Sequence, residues 1–517
     1  MDKITRTSNT NRIFQRVMSR QQYVIIILIT ILMVLIMMYS LAAVDSLGLS
    51  LAQKAAVCVC FCAISVSVIC GAGSSKNVIR GFVFVFASAS AIPFSLWLKV
   101  GCLDSVARPL RADLQIGLIH LVCLVLILYW SADAIGRGSV RLRVRPIEAV
   151  FLLLVTLCFA SSLYPWNANP TATLTGVSFL AVAVIIVLIA PNVIPPGGTF
   201  KPIWNGFAAA ALIETALVTA YPVLGMDEVV TWFSKSAIYW ANREGIARAV
   251  GTTDHPGDLA IYLAMILPFF VAGYALGYRR RWSIFLTFVI FVDIVLTGSR
   301  AGTAAGVVGG ALAYVLCGLV SRERLFGRRV VGSAAIFLVL VALTTHTAWG
   351  QRTFMSENFS NMSLVRYYYV GLGWEMFTDH PITGIGFNSH VDYMRQNIYI
   401  TSFPILGPEF VYQNPIHNSH LIILCEIGIL GYILWLLLFL LLIRAALTLG
   451  KKSRITRDTR GAVVGVGVIG SSVAYLTYAF TGWATLKQLT WHVVLLNIIL
   501  LTNHMLVYSK SCCRASE

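Results

Sequence analysis

The chain has 517 residues, of which 58% are hydrophobic and only 12% charged, and its mean hydropathy is +0.79. No soluble globular core is built at that composition, and a lipid bilayer is the solvent that fits it. The net charge of +17 sits in short clusters between apolar runs, a distribution that excludes a nucleic-acid partner as its reason.

Crossing roughly 30 Å of hydrocarbon takes about 20 apolar residues per helix. Runs of that kind recur near 23–43, 51–70, 80–98, 114–132, 147–163, 174–194, 203–222, 258–277, 282–298, 300–320, 330–346, 419–443, 461–482 and 487–507. The predicted fold is all-α, a polytopic membrane protein of about fourteen transmembrane helices. Residues 1–20 are basic and Leu41-Ala42-Ala43 is small, as in a signal peptide, but the apolar stretch between them is too long for one and reads as a retained span.

With the N-terminus inside and the spans alternating, most of the 39 Lys and Arg fall in the inner connections, including Arg279-Arg280-Arg281, Arg322 to Arg329 and Lys451 to Arg460. The positive-inside rule then places both termini in the cytoplasm. These clusters rest against anionic headgroups, which makes membrane lipids the expected partners. Most of the 11 cysteines lie within apolar runs, where they pack as small hydrophobes, and no disulfide framework or metal spacing follows.

Two outward connections are long. Residues 223–254 carry Trp232, Phe233, Tyr239 and Trp240 at helix-like intervals and read as an amphipathic helix on the outer leaflet. Residues 347–418 form a large outward, periplasmic loop. Tyr367, Tyr368, Tyr369, Trp374, Phe377, Phe387, Tyr393 and Phe410 supply its core, and Pro381, Gly384 and Gly386 its turns.

Three spans begin on the outer side, at His255-Pro256-Gly257, at Gly298-Ser299-Arg300-Ala301-Gly302 and at His417-Asn418-Ser419-His420. Pro256 suits a first helical turn, and Ser299 and Asn418 suit N-caps. The free amides and positive dipole ends of such starts make anion sites, to which Arg248, Arg300 and Arg366 add fixed charge. Arginine matches a diphosphate because its planar fork donates paired hydrogen bonds and keeps its proton.

His417 is the candidate general base, with His420 one turn on facing the same site. Asp293 is placed to orient Arg300, and Glu426 to orient His417, as supporting residues. The donor sets His417, His420 and Glu426, or Asp254, His255 and Asp258, match no zinc motif, so no metal is expected. Intramembrane Glu214 and Asp293 also suit a secondary transporter, although no paired halves are visible.

Five stretches together resemble the O-antigen ligase and polymerase superfamily of bacterial membrane glycosyltransferases. They are Arg248-Ala-Val-Gly-Thr-Thr-Asp-His-Pro256; Leu296-Thr-Gly-Ser-Arg300-Ala-Gly302; Arg366 with Trp374, Phe377 and His380-Pro-Ile-Thr-Gly-Ile-Gly386; His417-Asn-Ser-His-Leu421; and Glu426-Ile-Gly-Ile-Leu-Gly431. The resemblance covers roughly 245–445, with N-terminal transmembrane helices over 1–244 and C-terminal helices and tail over 446–517. It departs at Gly257, where an asparagine commonly follows the proline.

The resemblance implies a metal-independent and cofactor-free glycosyltransferase of the bacterial inner membrane. It would bind an undecaprenyl-diphosphate-linked glycan donor through Arg300 and Arg366 and activate an acceptor hydroxyl through His417. The acceptor is lipid A core in a ligase, or a second lipid-linked glycan in a polymerase, in the biosynthesis of O-antigen, capsule or exopolysaccharide. A chain-length regulator or a flippase is an implied partner. The alternatives are the transporter and a non-catalytic partner of a polysaccharide assembly complex.

Overall fold

The computed structural model describes residues 75–88, 90, 95–97, 115–117, 123, 126–127, 130–131, 142–224, 248–253, 255–321, 359–397, 415–484 and 488–514. The predicted spans 23–43, 51–70 and 330–346 lie outside them, as do the aromatic stretch Trp232 to Trp240, Asp254 and Phe410.

In chain order the helices are α1 (Ser75–Ser88), α2 (Pro146–Ala160), α3 (Pro170–Val193), α4 (Phe200–Leu224), α5 (Pro256–Ala275) and α6 (Arg280–Leu296). They continue with α7 (Arg300–Val320), α8 (Phe359–Asp379), α9 (His390–Asn397), α10 (Ser419–Thr456), α11 (Thr459–Ala479) and α12 (Gln488–Arg514). A bilayer forces this outcome, because an apolar medium leaves each backbone amide to be satisfied within its own helix. Eight of the described helices are long and apolar enough to cross a membrane, namely α2 (as Pro146–Leu163), α3, α4, α5, α7, α10, α11 and α12. At 17 residues α6 is shorter, about 25 Å of rise.

Two predicted spans need correction. The run at 80–98 is helical only to Ser88, and Ser95–Trp97 forms a strand. That strand pairs antiparallel with Gln115–Gly117, which had been placed in the run at 114–132. The regular structure among the described residues is therefore helical apart from one short ladder. A further correction concerns α10, predicted to end near 443, which continues to Thr456 and has 38 residues. Ala446, Leu449, Gly450 and Ser453 keep one face of the extension buried into its last turn.

The centre of the bundle is α5. Leu259 to Ile266 is wholly buried, as expected of a helix apolar on every side. Helices α7 and α11 approach closely through small residues, and a Cβ on Gly309 would lie 2.7 Å from the Gly470 carbonyl. Cys158, Cys317 and Cys425 are buried free thiols, packed as the sequence suggests.

Segment 359–397 shares a second hydrophobic cluster with the start of α10. Tyr369, Leu372, Met376, Ile385, Val391, Tyr393 and Met394 pack with Ile416, Leu421, Ile422 and Cys425. Tyr367 and Trp374, predicted for such a core, point outward instead, at 73% and 55% exposure.

Within α10 the helix breaks at Gly428 (φ 66, ψ −173). The carbonyls of Cys425 and Glu426, released from intrahelical bonding, accept instead from the amides of Ile385 (2.8 Å) and Gly386 (2.9 Å), and Ile429 N–H donates to the Pro381 carbonyl (2.9 Å). Gly384 has φ 73, and a Cβ there would overlap the Glu426 carbonyl. The same turn is tied to the α2–α3 connection, because Trp166 Nε1 donates to the Gly384 carbonyl (2.9 Å), Phe387 N–H to Ser161 Oγ (2.9 Å) and Thr173 Oγ1 to the Phe387 carbonyl (2.6 Å).

Gly384→Ala and Gly428→Ala each combine left-handed strain with overlap and are expected to destabilise by about 1–3 kcal/mol. Gly371→Ala, on α8 with open space around it, is expected to be neutral or stabilising by up to about 1 kcal/mol. Thermal unfolding of the detergent-solubilised variants measures the difference; equal midpoints for Gly384→Ala and Gly371→Ala contradict the account.

Candidate active site

Helices α5, α7 and α10 begin, and α6 and α11 end, at the same end of the bundle, as alternating antiparallel neighbours must. Each of the three starts is capped by its own sequence. Ser299 accepts from Gly302 N–H (3.2 Å), and Asn418 Oδ1 from Leu421 N–H (3.1 Å). Pro256 opens α5, and the cap before it is an imidazole, His255 Nδ1 accepting from Gly257 N–H (2.9 Å). Such starts present their positive dipole ends and remaining amides to one region.

The segment before α5 is held against the end of α6. Ala249 N–H donates to the Leu296 carbonyl (3.0 Å), and the Arg248 side chain, 7% exposed, donates through Nε to the Thr297 carbonyl (2.9 Å). Thr297 caps α6 just before Arg300 opens α7, so Arg248 is bound to the turn from which Arg300 starts. From α4, the fully buried Glu214 accepts from Thr252 N–H (2.9 Å) and Thr252 Oγ1 (2.6 Å). That anchor fixes the loop that carries Arg248.

Arg366 enters from α8. Its guanidinium is held below its ordinary value, first by burial and then by the positive charge of Arg300. The two cations therefore share one partly desolvated space, unfavourable for them alone and favourable once an anion lies between them. Tyr478, in the last turn of α11, is within electrostatic reach of Arg248, Arg366 and Asp258. The departure at Gly257 has a local reason here, since a Cβ would stand 2.8 Å from the Tyr478 hydroxyl and 3.0 Å from His255 Nδ1.

His417 lies beside the α8 side of this cluster. Its ring tilts against Tyr369 (centroids 5.6 Å apart), one turn along from Arg366, and against Trp483 (4.7 Å). Nδ1 is 3.0 Å from the Pro415 carbonyl. A carbonyl only accepts, so Nδ1 is the donor in this contact, which in the neutral ring is the tautomer a base acting through Nε2 requires. Trp483 also meets His255 edge-on (5.9 Å), linking the starts of α5 and α10.

Of the residues singled out in the sequence, Arg300 lies within electrostatic reach of Arg366, and Arg248 and Arg366 within reach of Tyr478, while His417 reaches the α8 side of this group through Tyr369 and packs on Trp483. His420 does not. It turns away among Tyr432, Trp435 and Phe480 and shares a hydrogen bond with the Tyr432 hydroxyl (3.1 Å). Asp293 takes the Thr215 hydroxyl (2.5 Å) rather than Arg300. Glu426 pairs with His390 Nδ1 (2.6 Å), both about 1% exposed, rather than orienting His417. Among the described residues no three His, Cys, Asp or Glu side chains assemble as a metal site.

Tyr478, Trp483 and His390 were missed. The first two close a run recognised only by hydropathy, and His390 gave no signal beyond standing shortly after the Gly384–Gly386 turn.

Residues 285–436 match the family model described as O-antigen ligase. The match takes in Asp293, Arg300, Arg366, His417, His420 and Glu426 and leaves Arg248, Tyr478 and Trp483 outside. No curated protein matches the chain.

Glu214→Ala removes both acceptors for Thr252 and is expected to cost about 1–3 kcal/mol. Its unfolding midpoint in detergent is expected to fall by several degrees, with Glu214→Gln between it and wild type; an unchanged midpoint for Glu214→Ala contradicts the anchoring role.

Proposed function

We propose that the chain transfers a glycan from an undecaprenyl-diphosphate-linked donor to an acceptor hydroxyl at the outer face of a bacterial inner membrane. The observation that supports this reading is the gathering of three helix starts, three arginines and an imidazole whose Nδ1 donates to a backbone carbonyl at one end of the bundle. The O-antigen ligase match over 285–436 supports the same general chemistry.

Arg248, Arg300 and Arg366 grip the diphosphate, with the first-turn amides of α5 and α7 behind them. His417 Nε2 takes the proton of the acceptor hydroxyl as its oxygen bonds to the anomeric carbon. The bond from that carbon to the diphosphate oxygen breaks at the same centre. The departing lipid diphosphate carries away the electron pair, and the arginines stabilise the charge that develops on it. Every step balances with protein side chains alone.

The orientation follows from the positive clusters, Arg279-Arg280-Arg281 and Lys451 to Arg460, which lie at the opposite end of α6 and α10 from the site. On that reading the site is periplasmic, both termini are cytoplasmic and the whole chain has about fourteen spans. Between acceptors, the long chain and its two sizeable outer connections favour a polymerase over a ligase. A flippase and a chain-length regulator are the partners that such a polymerase needs.

Purified protein in liposomes, supplied with undecaprenyl-diphosphate glycan, tests the reading. Turnover is expected to fall about 10²- to 10³-fold in Arg300→Ala and Arg366→Ala, and about 10²- to 10⁴-fold in His417→Ala. Wild-type rates in these variants refute it. In a deletion strain, single repeats on the core identify a polymerase, and full-length polymer stranded on its carrier identifies a ligase.

A further inference from the structure

We propose that Trp483 is a positioning residue for His417, an indole that holds the imidazole in place and stabilises the positive charge it gains on taking a proton. The inference rests on the reading of His417 as the base of the transfer reaction.

Trp483 follows α11 directly, outside the stretch matched by the family model. Its backbone is fixed to the start of α10, because the carbonyl of Gly482 accepts from both Ser419 N–H (2.9 Å) and Ser419 Oγ (2.8 Å). The neighbour of Trp483 is thus tied to a residue two places from His417, and the rings meet at 4.7 Å with 36° between their planes. Tyr369 is also against it and Nδ1 is bound to the Pro415 carbonyl, so three contacts fix the orientation of the imidazole.

The electrostatics give the indole a second task. The charged and titratable groups around His417 are Arg248 before α5, Arg300 of α7, Arg366 and Tyr369 of α8, His255 and Asp258 at the start of α5, Tyr478 of α11, and His420 on α10 itself. Three of these are permanent cations that oppose a further positive charge. An aromatic face within roughly 6 Å attracts a cation, and tryptophan does so most strongly. The charge on His417 is larger in the transition state than before proton transfer begins, so the attraction acts on the rate.

The test is the pH dependence of turnover in liposomes for wild type, Trp483→Phe, Trp483→Leu and His417→Ala. A cation-stabilising face raises the pKa of the base, so its removal moves the acidic limb of the profile to lower pH. In Trp483→Leu the limb is expected to move down by about half a unit, with turnover at the optimum about 3- to 30-fold lower. Trp483→Phe, with a weaker ring field, is expected between the two. If Trp483→Leu does not yield folded protein, the Phe variant carries the test with the same sign.

An equal loss at every pH with the limb unmoved indicates packing alone and overturns the proposal, as does unchanged turnover. An active His417→Ala instead refutes the underlying reading. An inactive His417→Ala beside an unmoved limb in the tryptophan variants refutes this inference and leaves that reading standing.

Discussion

Backbone hydrogen bonding between residues 381–386 and 425–429 sets where everything else at this end of the bundle lies. An α-helix in an apolar medium keeps its amides for itself, and α10 gives up two carbonyls and one amide only because a second strand of backbone meets them. The break at Gly428 provides the free groups, and Gly384 allows the approach. Once that join exists, α8 lies along the first turns of α10, Tyr369 reaches His417 and Arg366 comes within range of Arg300. The buried His390–Glu426 pair sits at the same join. It links the turn to the helix by a side-chain bond where the backbone is irregular.

Charge explains why the rest of the end is arranged as it is. Three arginines lie near three positive helix ends, an arrangement that opposes folding unless each group has a local partner. Arg248 has one in the Thr297 carbonyl, and its loop has one in the buried Glu214 carboxylate. Glu214 and Asp293, which alone suggest a transport path, are committed to Thr252 and Thr215 of neighbouring segments. An electropositive region kept in shape by distant anchors is preorganised for an anion that arrives and leaves, because little has to move when it binds.

What the sequence made legible is what depends on near neighbours. Ser299, Asn418 and Pro256 are cap and first-turn residues by their own chemistry and by the apolar run that follows each, and the helices start where they stand. The break at Gly428 was hidden, because the apolar run from Leu421 to Leu442 continues through it with Glu426 as its one charged residue. Glu426 was assigned to the nearby His417, yet its partner is His390, 36 positions away, a pairing created by the join and invisible to local spacing. The ladder between Ser95–Trp97 and Gln115–Gly117 lies in apolar sequence that hydropathy reads as helix. Tyr478 and Trp483 act by touching other helices, so nothing within their own run marks them.

The central claim is that one diphosphate is bound where the starts of α5 and α7 meet Arg248, Arg300 and Arg366. An experimental structure of the protein in lipid nanodiscs with undecaprenyl diphosphate tests it most directly. The account predicts the diphosphate within hydrogen-bonding distance of at least two of the three guanidinium groups and on the His417 side of Tyr478. A diphosphate bound elsewhere, or at the opposite end of the bundle beside Arg279 to Arg281, contradicts it.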